Sequence, residues 1–144
     1  MIAVTTCNLT NSTVIRNDIL VTLDSIKKHC SSEVLVVDDG SPQESQEYVR
    51  DLCNQRGFRF IGIWNNGGIA HAKNLCLSEF IEFYKSEYCF LLDDDVQVIS
   101  DDFEAKYINA MQQTGIGILS WNDPAYTGTI PEQYGELMAS NHTC

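Results

Sequence analysis

The stretch that decides the fold runs from Glu33 to Gln43, EVLVVDDGSPQ. Val34 to Val37 is a compact apolar run of β-branched residues and leucine with no polar alternation. A strand of that kind is buried on both faces, as in a parallel sheet covered by helices. Asp-Asp-Gly-Ser-Pro then closes it, with glycine and proline where a turn needs them. Tyr48, Val49, Leu52 and Cys53 follow at helical spacing, and the helix is expected to end near Gly57.

The same alternation extends in both directions. Ile2 to Thr6 is a short β-rich run, and Ile15, Ile19, Leu23, Ile26 and Cys30 recur on one helical face. Phe58 to Trp64 reads as a third strand. Asn-Asn-Gly-Gly breaks the chain before Ile69, Ala72, Cys76, Phe80 and Tyr84, which mark a long amphipathic helix. Tyr88 to Leu92 is a fourth strand, Phe103 to Met111 a further helix, and Ile116 to Trp121 a fifth strand. Beyond Trp121 no clear period remains. The pattern predicts an α/β fold, a mostly parallel sheet flanked by helices on both faces with right-handed crossovers. One domain over residues 1–144 is expected, with 122–144 a poorly defined tail.

At 144 residues the chain can form a real core without staples. Its formal net charge of −11 argues against a nucleic-acid surface, while leaving room for a cation or for an anion bridged by one. The six cysteines show no CxxC pair and no metal-ligand spacing, so buried reduced thiols are expected. Sequons occur at Asn8, Asn11 and Asn141. No apolar run approaches the ~18–20 residues of a membrane span and no signal peptide is evident, so a cytoplasmic protein, or a cytoplasmic piece of a larger one, is expected.

Each strand is followed by a polar segment: Thr5-Thr6-Cys7-Asn8, Asp38-Asp39-Gly40-Ser41, Asn65-Asn66-Gly67-Gly68 and Asp93-Asp94-Asp95. In a parallel sheet all four fall at the carboxyl edge, where ligands of open α/β folds bind. Hard carboxylate oxygens at Asp93 to Asp95 suit Mg²⁺ or Mn²⁺ shared with substrate phosphates. Alternation sends Asp93 and Asp95 one way and Asp94 the other. The bland alternative is a solvated acidic turn, with Asp101 or Asp102 capping the next helix. Asp38 and Asp39 have a similar pair of readings: turn chemistry with Ser41 as helix cap, or a carboxylate that accepts the ring N–H of a base. The glycines at 67 and 68 allow a sharp turn. The same geometry directs helix N–H groups at an anion, with His71 and Lys73 nearby. No GxGxxG or Walker pattern is present.

In this order, VLVVDDGSPQES, NNGGIAHAKN and YCFLLDDDVQVISDDF resemble the nucleotide-binding half of GT-A glycosyltransferases, especially the family-2-like group. The resemblance covers roughly residues 2 to 115. It implies a Rossmann-like GT-A nucleotide-binding domain, a metal-dependent transferase and a nucleoside-diphosphate sugar as donor, with a UDP-sugar expected. By the same resemblance Thr5 and Cys7 line the base pocket, Cys7 standing where an aromatic is common. Asp39 bonds the base with Asp38 beside it, and Asn66, Gly67, Gly68 and Lys73 lie near the ribose and diphosphate. Lys73 replaces the usual arginine. Asp93 and Asp95 match the D-x-D motif, Asp94 holds the variable position, and Mn²⁺ or Mg²⁺ is the implied ion. The family's acceptor half, with its carboxylate base, is not recognisable here; Asp123, Glu132 and Glu136 stand in no such context and no catalytic base is assigned. The acceptor is unknown, and a partner domain or oligomer is one way to supply its site. Two other classes stay open: a sugar-nucleotide binding module without turnover, and a receiver-like domain with an acidic pocket.

Overall fold

In a computed structural model, residues 1–7, 13–121 and 137–138 are described. The chain divides into two compact units, Met1–Asp101 and Asp102–Cys144. In the first unit, in chain order, lie β1 (Ile2–Thr6), α1 (Thr13–His29), β2 (Val34–Asp39), α2 (Gln43–Arg56), β3 (Arg59–Ile63), α3 (Ile69–Phe83) and β4 (Phe90–Asp93). Strands β1 to β4 form one sheet in the order β3-β2-β1-β4, parallel at every pairing.

That order explains how the helices are distributed. The chain steps from β1 to β2 to β3 in one direction, then returns across the sheet to β4. With right-handed crossovers, α1 and α2 share one face and α3 takes the other. Side chains agree with this. Ala3, Leu35 and Val37 form a buried cluster with Ala72 and Cys76 of α3. The alternate residues Ile2, Val4, Val34 and Val36 are buried, as are Ile19, Leu23 and Ile26 of α1 and Val49, Leu52 and Cys53 of α2. Both central strands are therefore covered on both sides, as their unbroken apolar runs require. The thiol of Cys53 is pushed up to about 12 by burial, in keeping with a structural cysteine.

Two local expectations are corrected. Ser41 does not cap α2: Pro42 holds the N-cap position, and the Ser41 amide donates to Asp38 Oδ1 at 2.9 Å. Asp38 has thus tied the turn before the helix begins. The expected fifth strand over Ile116 to Trp121 is also not part of the parallel sheet. In the second unit, α4 (Phe103–Thr114) ends at Gly115 and is followed by β5 (Ser120–Trp121), which pairs antiparallel with β6 (Leu137–Met138). Ile116 and Ile118 are 39 % and 83 % exposed, so the apolar run lacks the burial that would make it a core strand. Asp102 does hold the N-cap position of α4, without a side-chain capping bond. The rest of the 122–144 tail, with Asp123, Glu132 and Glu136, lies outside the described residues, as do Asn8, Asn11 and Asn141.

Candidate functional site

The parallel register brings the polar strand ends to one edge. Thr6 stands beside Asp38 across β1 and β2, and Thr5 beside Asp93 across β1 and β4. Strand alternation then sorts these residues by face. Thr5, Asp39 and Asp93 point to the α3 side, and Thr6, Asp38 and Asp94 to the side of α1 and α2.

On the α3 side, Asp39 is buried, and both its carboxylate oxygens accept the Gly67 amide, at 3.0 and 3.1 Å. His71 Nδ1 lies 3.4 Å from the same carboxylate. The Gly68 amide donates to Asn66 Oδ1 at 2.8 Å. The Gly67 and Gly68 amides are therefore taken by protein oxygens. Gly40 (φ +82°) lies so close that a Cβ there would come within 2.7 Å of Asn66 Cα, so the two strand-end turns pack backbone to backbone. Lys73 reaches back from α3 to Asp93, Nζ to Oδ1 2.7 Å, and Thr5 Oγ1 lies 3.4 Å from the same oxygen.

On the other side, Thr6 Oγ1 donates to Asp94. Burial, followed by the fields of Asp95 and Asp93, raises the Asp94 carboxyl against the lowering effect of that bond. Asp38 Oδ1 accepts from the Ser41 amide and from Gln46 Nε2, while Oδ2 is buried with no hydrogen-bond partner. Burial pushes Asp38 up as well. Cys7 is exposed at the end of β1. Partial desolvation and then the charges of Asp94, Asp39, Asp38 and Asp93 push its thiol up, which marks it as the neighbour of all four carboxylates and a poor nucleophile. Asp95 is exposed just past the strand.

Among the described residues no three His, Cys, Asp or Glu side chains converge into a cage for a metal ion. The donor set still fits a hard divalent cation. Asp93 and Asp95 offer carboxylate oxygens, and such ions commonly take one or two of these and complete their shell with phosphate and water. A cation already lies against Asp93, in the form of the Lys73 ammonium.

Two residues that bond to this edge were not singled out by the sequence. Thr22 and Ser25 interrupt the apolar face of α1 and are both buried. Thr22 Oγ1 donates to the Asp94 carbonyl at 2.7 Å, and Ser25 Oγ accepts the Val98 amide at 3.0 Å. The available signal was their polarity among Ile19, Leu23 and Ile26.

A sequence profile described as Glycosyl transferase family 2 matches residues 2–131. No curated protein sequence matches the chain. Among solved structures, S. aureus TarS aligns with TM-score 0.57 at 20 % identity, over 78 % of this chain and 19 % of that one. S. aureus TarS 1-349 aligns with TM-score 0.62 at 19 % identity, over 94 % and 39 %. The same TarS fragment in complex with UDP-GlcNAc aligns with TM-score 0.63 at 19 % identity, over 94 % and 38 %. At such identities the likeness is one of fold, and the chain spans well under half the length of each of these structures.

Proposed function

The chain belongs to glycosyl transferase family 2, and from that premise we propose that it is the donor-binding part of a glycosyltransferase acting on a nucleoside-diphosphate sugar. The observation that carries this reading is the arrangement at the carboxyl edge. On one face of the sheet Asp39 holds the Gly67 turn through hydrogen bonds, and Lys73 of the helix that follows that turn pairs with Asp93. A UDP-sugar is the donor to test first, because a TarS structure holds UDP-GlcNAc.

In this reading Thr5, Cys7 and Asp39 form the base end of the site, with Asp39 the acceptor for a ring N–H and buried Asp38 beside it tying the turn from the other face of the sheet. Asn66, Gly67 and Gly68 shape the wall beside the ribose, and the glycines let backbone approach the ligand where a side chain would block it. Lys73 exchanges its pair with Asp93 for the diphosphate, contributing a point charge and no bidentate fork. Asp93 and Asp95 would hold Mn²⁺ or Mg²⁺, with Asp94 turned away to the Thr6 side. When bound, such an ion supplies Lewis-acid stabilisation of the charge that grows on a departing nucleoside diphosphate. An inverting transfer also needs a base near the acceptor hydroxyl, and no described residue is assigned to it. Among the described residues no helix is long and apolar enough to cross a membrane.

The test is UDP binding by calorimetry and thermal shift, with and without Mn²⁺. Binding is expected to strengthen markedly with the ion, and Asp95→Ala to abolish that gain while leaving the fold intact. A protein indifferent to UDP in Mn²⁺, or one whose response survives Asp95→Ala, sinks the donor-site reading.

A further inference from the structure

Thr22 and Ser25 are 1 % and 6 % exposed, on a helix face otherwise committed to the core. Hydroxyls in such a place are unfavourable unless they are hydrogen-bonded. The bonds they make are directed at one distant segment. Thr22 Oγ1 donates to the Asp94 carbonyl, and one turn later Ser25 Oγ accepts the Val98 amide while donating to the Thr22 carbonyl at 2.8 Å. One further turn along, His29 Nδ1 meets Asp101 Oδ1 at 2.5 Å. Residues at i, i+3 and i+7 of α1 therefore hold the chain at 94, 98 and 101, on one helical stripe.

The held segment is the one that needs holding. β4 ends at Asp93, and residues 96–100 belong to no strand, helix or turn. No ladder sets their direction. The backbone grips from α1 do, together with the buried Val98 side chain, and the first two enclose Asp95. We propose that Thr22 and Ser25 are positioning residues of the acidic turn: they fix its backbone so that the Asp93 and Asp95 carboxylates are presented together to a divalent ion and the diphosphate it bridges. This rests on the donor-site reading above and adds to it a pair of residues that touch neither ion nor nucleotide.

Thr22→Val keeps the shape and removes the O–H. Its metal-dependent UDP affinity, measured by calorimetry, is expected to fall about tenfold, the size typical of residues that orient metal ligands. Metal-free UDP binding is expected to stay within about twofold of wild type, because the base end of the site is untouched and distant sites act nearly independently. Thr22→Ser retains the hydroxyl and is expected to recover most of the loss. Ser25→Ala is expected to lower the metal-dependent affinity in the same way, and both lesions to speed amide exchange at Val98 without changing exchange along α1. Folded variants with wild-type affinity in Mn²⁺ overturn the proposal, as does Thr22→Ser falling as far as Thr22→Val. Should Thr22→Val not fold, Ser25→Ala decides on the same criteria. If wild type itself shows no metal-dependent UDP binding, the donor-site reading fails and the positioning role falls with it, an outcome distinct from variants that bind as wild type does.

Discussion

Asp38 and Asp39 are neighbours in sequence and opposites in setting. Asp39 has both oxygens engaged, whereas Asp38 keeps one buried oxygen without a donor. The sequence located the pair but could not divide the work, because that depends on which face of β2 each residue takes, and register with β1 and β3 sets it. Burial raises the Asp38 carboxyl in the folded state above its ordinary 3.8. An acid so raised contributes stability that is fully present below the unfolded value and is lost as pH climbs through the folded one. Asp38→Asn preserves an acceptor for the Ser41 amide and carries no charge to desolvate. In urea unfolding at about pH 4 and about pH 7, the difference between the variant and wild type is expected to shift in favour of Asn at the higher pH. A difference that is flat, or that runs the other way, means the Asp38 charge is not buried at a cost.

At the scale of elements, the strand ends are fixed by how closely their turns approach. Gly40 and Gly57 both have positive φ, at 82° and 72°. A Cβ on Gly57 would meet nothing within 4 Å, whereas one on Gly40 would strike the Asn66 backbone. Gly57→Ala should therefore cost about 1–2 kcal/mol, from the left-handed conformation alone. Gly40→Ala adds overpacking and should cost about 2–5 kcal/mol, while also loosening the Gly67 amide from Asp39. Equal costs in chemical denaturation would show that the Asn66 turn yields freely. The elements themselves were readable where local pattern and burial agree, as in EVLVV and the face of α3. Ile116 to Trp121 misled because an apolar run names no partner, and the strand that pairs Ser120 and Trp121 comes from Leu137–Met138. Thr22 and Ser25 were hidden for a related reason: their partners lie 72 and 73 residues away.

At the scale of the whole molecule, charge decides what approaches the site and in what company. The chain carries a formal −11, and its carboxyl edge gathers Asp38, Asp39, Asp93, Asp94 and Asp95, of which Asp39 meets His71 and Asp93 meets Lys73. Such a field attracts a divalent cation and opposes an anionic nucleotide that arrives alone. The range of that field is set by salt, with a Debye length of about 30 Å at 0.01 M and about 8 Å at 0.15 M. Raising ionic strength across this interval should therefore weaken Mn²⁺ binding while strengthening metal-free UDP binding, opposite to the salt response of a basic surface that binds phosphate by releasing counterions. Calorimetric titrations of Mn²⁺ alone and of UDP alone at the two salt concentrations test both signs. Weaker metal-free UDP binding at high salt would show that Lys73 and the first turn of α3 outweigh the net charge. The nucleotide could then bind ahead of its metal; with the signs expected here, the ion comes first or arrives already bound to the diphosphate.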